Sequence, residues 1–252
     1  PLMNSGKSYI YGRHALIEAI RNAPKSIDRV FILPEFKDRE LSILLEQSGI
    51  HVVTTSDRET PRGVDKRDTR QGIIALISPK GLVQSFKNFL DKLIVTPDTC
   101  LVLLDELEDP QNVGAIIRSA AAFGVYGILI PEHNQAPITG AVIKVSAGMA
   151  FRIPLVSVSN VNSSIRDLKN KGFWVYGLEM EAKNSLYVEK FDAPALFVMG
   201  NEGQGIRQKT KELCDVLMVI PMNPKCESLN VATSAAVTLY EWSKQHKEAL
   251  RQ

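Results

Sequence analysis

The sequence predicts an α/β fold built on parallel strands and divided into two units. Two observations carry this. Short apolar runs alternate along the chain with longer segments of helical period. The runs also fall into two groups, separated by residues 81–98, a short amphipathic stretch that ends in a proline-containing turn. At 252 residues and 44% hydrophobic content, the chain is long enough to bury one large core or two small ones.

In the first group, residues 29–33 (RVFIL), 50–54 (IHVVT) and 72–77 (GIIALI) read as strands. The segments YGRHALIEAI and KDRELSILLEQSG read as the helices between or before them. Residues 81–98 read as a connector. Strands then follow at 101–104 (LVLL), 126–130 (YGILI), 173–178 (FWVYGL), 195–199 (ALFVM) and 215–220 (DVLMVI), each leading into a loop or a helix. There is no internal repeat and no low-complexity segment.

Composition removes several function classes. No apolar run reaches the ~18 residues of a membrane span, and the start lacks a charged-then-apolar leader, so a cytoplasmic protein is expected. Pro1 and Leu2, ahead of Met3, read as a cloning remnant. Cys100, Cys214 and Cys226 are odd in number and lack metal-ligand spacing, so they read as free thiols without a catalytic role, and no metal is expected. The net charge of +2 is too mild to announce a polyanion partner. Residues 1–80 nevertheless hold 13 Lys and Arg against 10 Asp and Glu, which makes the first third the better place for sequence-independent phosphate contacts.

Three stretches concentrate unusual residues. Residues 200–206 read GNEGQGI, and their glycine spacing, G-x-x-G-x-G, reverses the dinucleotide fingerprint. A nicotinamide site would also require an acidic residue about 20 positions on, and residues 216–226 contain none. In residues 101–125 a strand enters a polar turn and then a helix. Asn112 is placed as its N-cap, Gly124 as its C′ residue, and Val113, Ile116, Ile117 and Ala120 as its apolar face. Gly114 lies one turn before Arg118. That pair reads either as a surface arginine beside a tolerated glycine, or as a cation with an anion or a backbone docked into the gap. In residues 220–242, Pro221 and Pro224 end a strand, and Ser228 or Asn230 caps a helix whose first turns are small residues. Alone, this is a loop before a core helix.

Together and in this order, Asn112 to Arg118, Gly200 to Gly205 and Ser228 to Ala232 resemble the three motifs of the SpoU (TrmH-type) RNA ribose 2′-O-methyltransferases of the SPOUT class. The resemblance extends over about residues 99–245. GRHALIEAI and TRQGIIALI likewise resemble the small L30e-like RNA-binding domain that precedes the catalytic domain in many members, although Arg70 stands where many relatives have histidine. The resemblance implies an L30e-like domain over residues 3–80, a linker over 81–98 and a catalytic domain with a trefoil knot over 99–252. It also implies a homodimer with S-adenosylmethionine as cofactor, acting on structured RNA. A guanosine of large-subunit ribosomal RNA is favoured, ahead of transfer RNA. A non-catalytic RNA-binding protein of the same fold is the alternative class, and the joint presence of Arg118, Glu202 and Asn230 speaks against it.

By position, the resemblance places Gly200, Ile220 and Leu229 in the cofactor pocket. It makes Arg118 essential, often as the base; because a guanidinium stays protonated and is a poor base, the chemistry favours Arg118 as a grip on phosphate and ribose that lowers the hydroxyl pKa, with the proton's final acceptor open. Glu202 would orient Arg118 or substrate, while Asn112, Ser228 and Asn230 would position ribose and loops. Arg13 and His14, with Arg62, Arg67 and Arg70 from the basic segment 55–72, are the candidate RNA contacts. Four acidic residues interrupt that segment, so a solvated loop is an equal reading.

Overall fold

The computed structural model describes residues 8–55, 72–78 and 81–251. The N-terminal unit holds β1 (Ser8–Tyr11), α1 (Arg13–Asn22), β2 (Ile27–Ile32), α2 (Arg39–Ser48), β3 (Val52–Thr54) and β4 (Ile73–Ile77), in a sheet of order β1-β4-β2-β3. The expectation of parallel strands fails here. β4 pairs antiparallel with both β1 and β2, and only β2 and β3 run parallel. Helix α2 obeys its sequence signals: the Asp38 side chain accepts from the Leu41 N–H at 3.0 Å, and Gly49 closes the helix in the left-handed region at φ 66°.

The larger unit contains β5 (Val83–Ser85), α3 (Phe86–Lys92), β6 (Cys100–Asp105), α4 (Pro110–Ala122), β7 (Gly127–Pro131), α5 (Gly140–Val145), β8 (Leu155–Val158), α6 (Val161–Asn170) and β9 (Trp174–Leu178). It continues through β10 (Asn184–Ser185), β11 (Ala195–Gly200), α7 (Gln208–Lys211), β12 (Val216–Val219) and α8 (Val231–Gln245). Its eight strands run in the order β10-β12-β9-β11-β6-β7-β8-β5, and every pair is parallel. Residues 81–98 are therefore more than a connector. Val83 to Ser85 pair with Leu155 to Ser157 at the sheet edge, and α3 buries Phe89 against the sheet. Three residues are too short a run for periodicity to show in sequence.

A parallel sheet covered on both faces must be apolar on both. β6 shows how one run serves two cores: Cys100, Val102 and Leu104 face one side with α4, α5 and α8, whereas Leu101 and Leu103 face the other with α3 and α6. The α4 stripe of Val113, Ile116, Ile117 and Ala120 is fully buried, as its spacing predicts, and Gly124 takes a φ of 75° past the helix end.

One reading of α4 is corrected, and of the alternatives offered for Gly114 the docked backbone is the one found. Asp109 caps the helix by accepting from the Gln111 N–H, with Pro110 at the first helical position. That puts Asn112 inside the first turn, with its carboxamide free for other bonds. Gly114 leaves no open space beside Arg118. A Cβ there would lie 2.6 Å from the Val145 side chain and 2.9 Å from the Val142 carbonyl, so α5 already fills the gap.

Candidate active site

The carboxyl ends of β9, β11 and β12, with the segment leading into α8, surround a cleft of about 460 Å³. Leu178 to Met180, Met199 to Gly205, Met218 to Ile220 and Ser228 to Val231 form its walls. Of the expected site residues, Gly200, Glu202, Ile220, Ser228, Leu229 and Asn230 all line it.

The glycine-rich loop is built by its own backbone. Asn201 and Gly205 exchange backbone hydrogen bonds of 3.0 and 2.8 Å, while the Asn201 side chain accepts from the N–H groups of Gly203 and Gln204 and donates to the Glu106 carbonyl at 2.9 Å. A Cβ on Gly200 would sit 2.4 Å from the Gly205 carbonyl carbon and 2.5 Å from the Ile206 nitrogen. Glycine at 200 is thus required by closure of the loop on itself. Gly200 also contributes to the wall of the cleft.

One chain of side chains joins the three stretches. The Asn112 Nδ2 donates to Glu202 Oε1 at 2.5 Å, and its Oδ1 accepts from Asn230 Nδ2 at 2.9 Å. Asn230 in turn caps α8, accepting from the N–H groups of Ala232 and Thr233. Because an amide offers a donor and an acceptor at once, Asn112 alone ties the glycine-rich loop to the α8 cap. Asn230, not Ser228, is the capping residue.

Beneath the loop lies an ion pair that sequence reading missed. Asp105 is fully buried at the end of β6, in register with Gly200. It accepts from Arg207 Nε at 2.8 Å, Nη2 at 2.6 Å and the Arg207 backbone N–H at 3.1 Å, and Arg207 Nη1 reaches Glu106 at 3.0 Å. A carboxylate ending the apolar run LVLL was the available signal, since a buried charge requires a partner.

The remaining expected residues lie elsewhere. Arg118 is exposed on α4, does not line the cleft, and has no hydrogen-bond or ion-pair partner among the described residues. Arg13 is held by Asp38 at 2.5 Å and by Glu40, so a phosphate would have to compete with two carboxylates for it. The Leu41 N–H and Arg13 together keep the Asp38 carboxyl below its usual range. His14 is exposed at the start of α1. Arg62, Arg67 and Arg70 fall outside the described residues. Burial pushes the Cys100 thiol well up and the Cys214 thiol to about 12, so neither is a nucleophile near neutral pH.

The family model for the SpoU rRNA methylases matches residues 99–240. The chain belongs to this family. A second model, for the substrate-binding domain of RNA 2′-O ribose methyltransferases, matches residues 9–82. The two matched regions are separated by the stretch that carries β5 and α3. Relatives similar over nearly the whole length are the 23S rRNA (guanosine-2′-O-)-methyltransferases RlmB of Ralstonia nicotianae, 34% identical over 96% of this chain and 97% of the relative, and of Escherichia coli K12, 36% identical over 94% and 98%. Among solved structures, the SpoU methyltransferase AviRb from Streptomyces viridochromogenes in complex with AdoMet superposes with a TM-score of 0.80 at 22% identity, covering 96% of this chain and 92% of that one. An AdoMet-bound rRNA methyltransferase from Sinorhizobium meliloti gives 0.77 at 21% identity, over 94% and 87%. These last two show the shared SpoU fold.

Proposed function

We infer that the protein transfers a methyl group from S-adenosylmethionine to the ribose 2′-hydroxyl of a guanosine in 23S ribosomal RNA. The observation that carries this reading is the Glu202–Asn112–Asn230 chain, which joins one side chain from each of the three motifs, with Glu202 and Asn230 in the wall of a single cleft. The relatives named for this activity align with the chain almost end to end, which supports the same substrate.

The cleft suits the cofactor. Its volume is that of a small-molecule site, and Met199, Met218, Ile220 and Leu229 offer apolar walls beside the exposed polar edge of the 201–205 loop. When bound, the cofactor supplies the activated methyl group. The chain's own residues do the rest. Gly200, Ile220 and Leu229 hold the cofactor by shape and backbone. Glu202 faces the incoming ribose, with Asn112 fixing its carboxylate, and Ser228 and Asn230 steady the opposite lip. Arg118 grips phosphate and ribose oxygen as a fixed cation, which favours loss of the hydroxyl proton. Since Arg118 lies outside the cleft of its own chain, we place it in the cleft of a second copy, which makes the working unit a homodimer. The N-terminal unit is the RNA grip, and the enzyme works in the cytoplasm, where ribosomal RNA is found.

Incubating the protein with methyl-labelled cofactor and separate ribosomal and transfer RNA pools, then mapping the 2′-O-methylated nucleotide, tests the assignment. Label in a large-subunit guanosine is expected, and label confined to transfer RNA would reassign the substrate. Arg118→Ala should bind cofactor normally and lose nearly all transfer, whereas Arg118→Lys should keep part of it. An alanine variant at the wild-type rate would return Arg118 to the role of a surface residue.

A further inference from the structure

The N-terminal unit is seated on the catalytic unit through three kinds of contact. The backbone of β1 lies against the start of α5 so closely that a Cβ on Gly140 would be 2.1 Å from the Tyr9 carbonyl oxygen, far inside any real contact distance. Arg152, just past the short 3₁₀ turn Met149–Phe151, reaches back to α1 and engages both oxygens of Glu18, with Nη2 to Oε1 at 2.7 Å. This fork-to-fork geometry gives direction as well as energy, and Arg152 holds the Glu18 carboxyl below its usual range. Gly148, at φ 82°, lets that turn approach, since a Cβ there would already be 3.3 Å from the Glu18 side chain. Finally, Ile10, Leu16 and Ile17 of the N-terminal unit belong to the same continuous apolar cluster as Ile138, Val142, Ile143 and Phe151.

A tethered domain that swings on its linker requires none of this. A glycine with no room for a methyl group, a two-pronged ion pair and a shared core define one relative orientation. We propose that Gly140, Glu18 and Arg152 are positioning residues that fix the N-terminal unit as a rigid ruler, setting where an RNA held there presents its ribose to the cleft. This rests on the reading of the N-terminal unit as the RNA grip. None of Gly140, Glu18 and Arg152 lines the cleft, so their effect on the reaction is one of alignment. A displacement of about 1 Å far from the chemistry is enough to cost on the order of 100-fold in rate.

The test uses the full chain with Arg152→Glu, Gly140→Leu, and the double reversal Glu18→Arg with Arg152→Glu. Small-angle X-ray scattering reads the relative orientation, calorimetry reads cofactor affinity, and single-turnover methyl transfer at saturating 23S RNA reads alignment. Each single variant should broaden the scattering profile and lower the saturated rate on the order of 10- to 100-fold, with cofactor and RNA affinity unchanged. The double reversal should restore both the profile and the rate, which a merely destabilised fold would not do. Scattering from Arg152→Glu identical to wild type, a wild-type rate despite an altered profile, or failure of the double reversal to rescue would each overturn the proposal. Failure of the underlying reading is separate: ultraviolet crosslinking of RNA to the wild-type protein would then give no adducts within residues 8–78, whatever the scattering shows.

Discussion

The two lips of the cleft are built in opposite ways. The glycine-rich lip is fastened at several points: Asp105 holds Arg207, Asn201 holds Glu106 and its own loop, and Asn112 holds Glu202. The other lip, from Pro221 to Leu229, is half-exposed or exposed throughout, and among the described residues its hydrogen bonds form one turn, in which Asn223 accepts from the N–H groups of Lys225 and Cys226. At its far end Asn230 anchors it to α8. The difference separates two jobs. Side chains on the fastened lip shape the site before any ligand arrives, and their loss should appear as lost stability. Those on the loose lip are free to follow a ligand, so their loss should appear in binding.

The largest break in this contrast should come from Asp105→Ala, which strips Arg207 of its buried partner. Removing one member of a buried ion pair costs about 3 to 5 kcal/mol, and the lower end is expected here, because Arg207 retains solvent contact and Glu106. Chemical denaturation monitored by tryptophan fluorescence would measure it, and a loss near zero would mean that the pair does not fasten the lip. Gly200→Ala comes next. With 2.4 Å between the added carbon and the Gly205 backbone, the loop must open, at a cost of about 2 kcal/mol, within the usual range for overpacking. Cofactor affinity should fall with it, since the same loop walls the cleft, and a variant of unchanged melting temperature and affinity would contradict the closed-loop account.

Asn112→Ala should cost about 1 kcal/mol, the net worth of a typical hydrogen bond. Because Asn112 serves both lips, the sharper measurement is a double-mutant cycle with Asn230→Ala. Coupling of more than half a kilocalorie is expected, and strict additivity would show that the relay does not join them. Smallest of all should be Ser228→Ala and Leu229→Ala, within about 0.5 kcal/mol of wild-type stability, as for other exposed positions. Their effect should be confined to cofactor affinity in calorimetry. A melting temperature several degrees lower for either would erase the distinction between the lips.

How far the sequence exposed this site depends on the kind of signal each residue leaves. The α4 stripe was legible because 3.6-residue periodicity is written in the spacing, and the long runs of β6, β7 and β11 because a doubly covered strand is apolar throughout. β5 and β10 were not, at three and two residues. The three motifs were legible through their order. What remained hidden was pairing across distance. Nothing local tells Asn112 that Glu202 and Asn230 will lie on either side of it, and Asn and Asp are both common capping residues, so the cap was assigned to Asn112 when Asp109 holds it. The gap at Gly114 was legible as a docking place, but not that the α5 carbonyl and side chain fill it, and nothing in the spacing told that Gly200 is met by its loop's own backbone. A glycine announces that something is near without saying what.

The order of the large sheet also bears on how the chain reaches this state. Cys100 pairs with Ala195, and the whole of β11 lies between β6 and β9, both of which precede it in the chain. During synthesis β6, β7 and β8 can associate as they emerge, but one edge of β6 stays bare until β11 arrives to occupy it. Contacts between segments so far apart in sequence form slowly, and an apolar strand with an open edge invites pairing with other chains. The interval between the emergence of β6 and the insertion of β11 is therefore when a nascent chain is most exposed to aggregation. Fragments ending before Ala195 should be retained by chaperones or found in the insoluble fraction, while chains that extend through α8 are not.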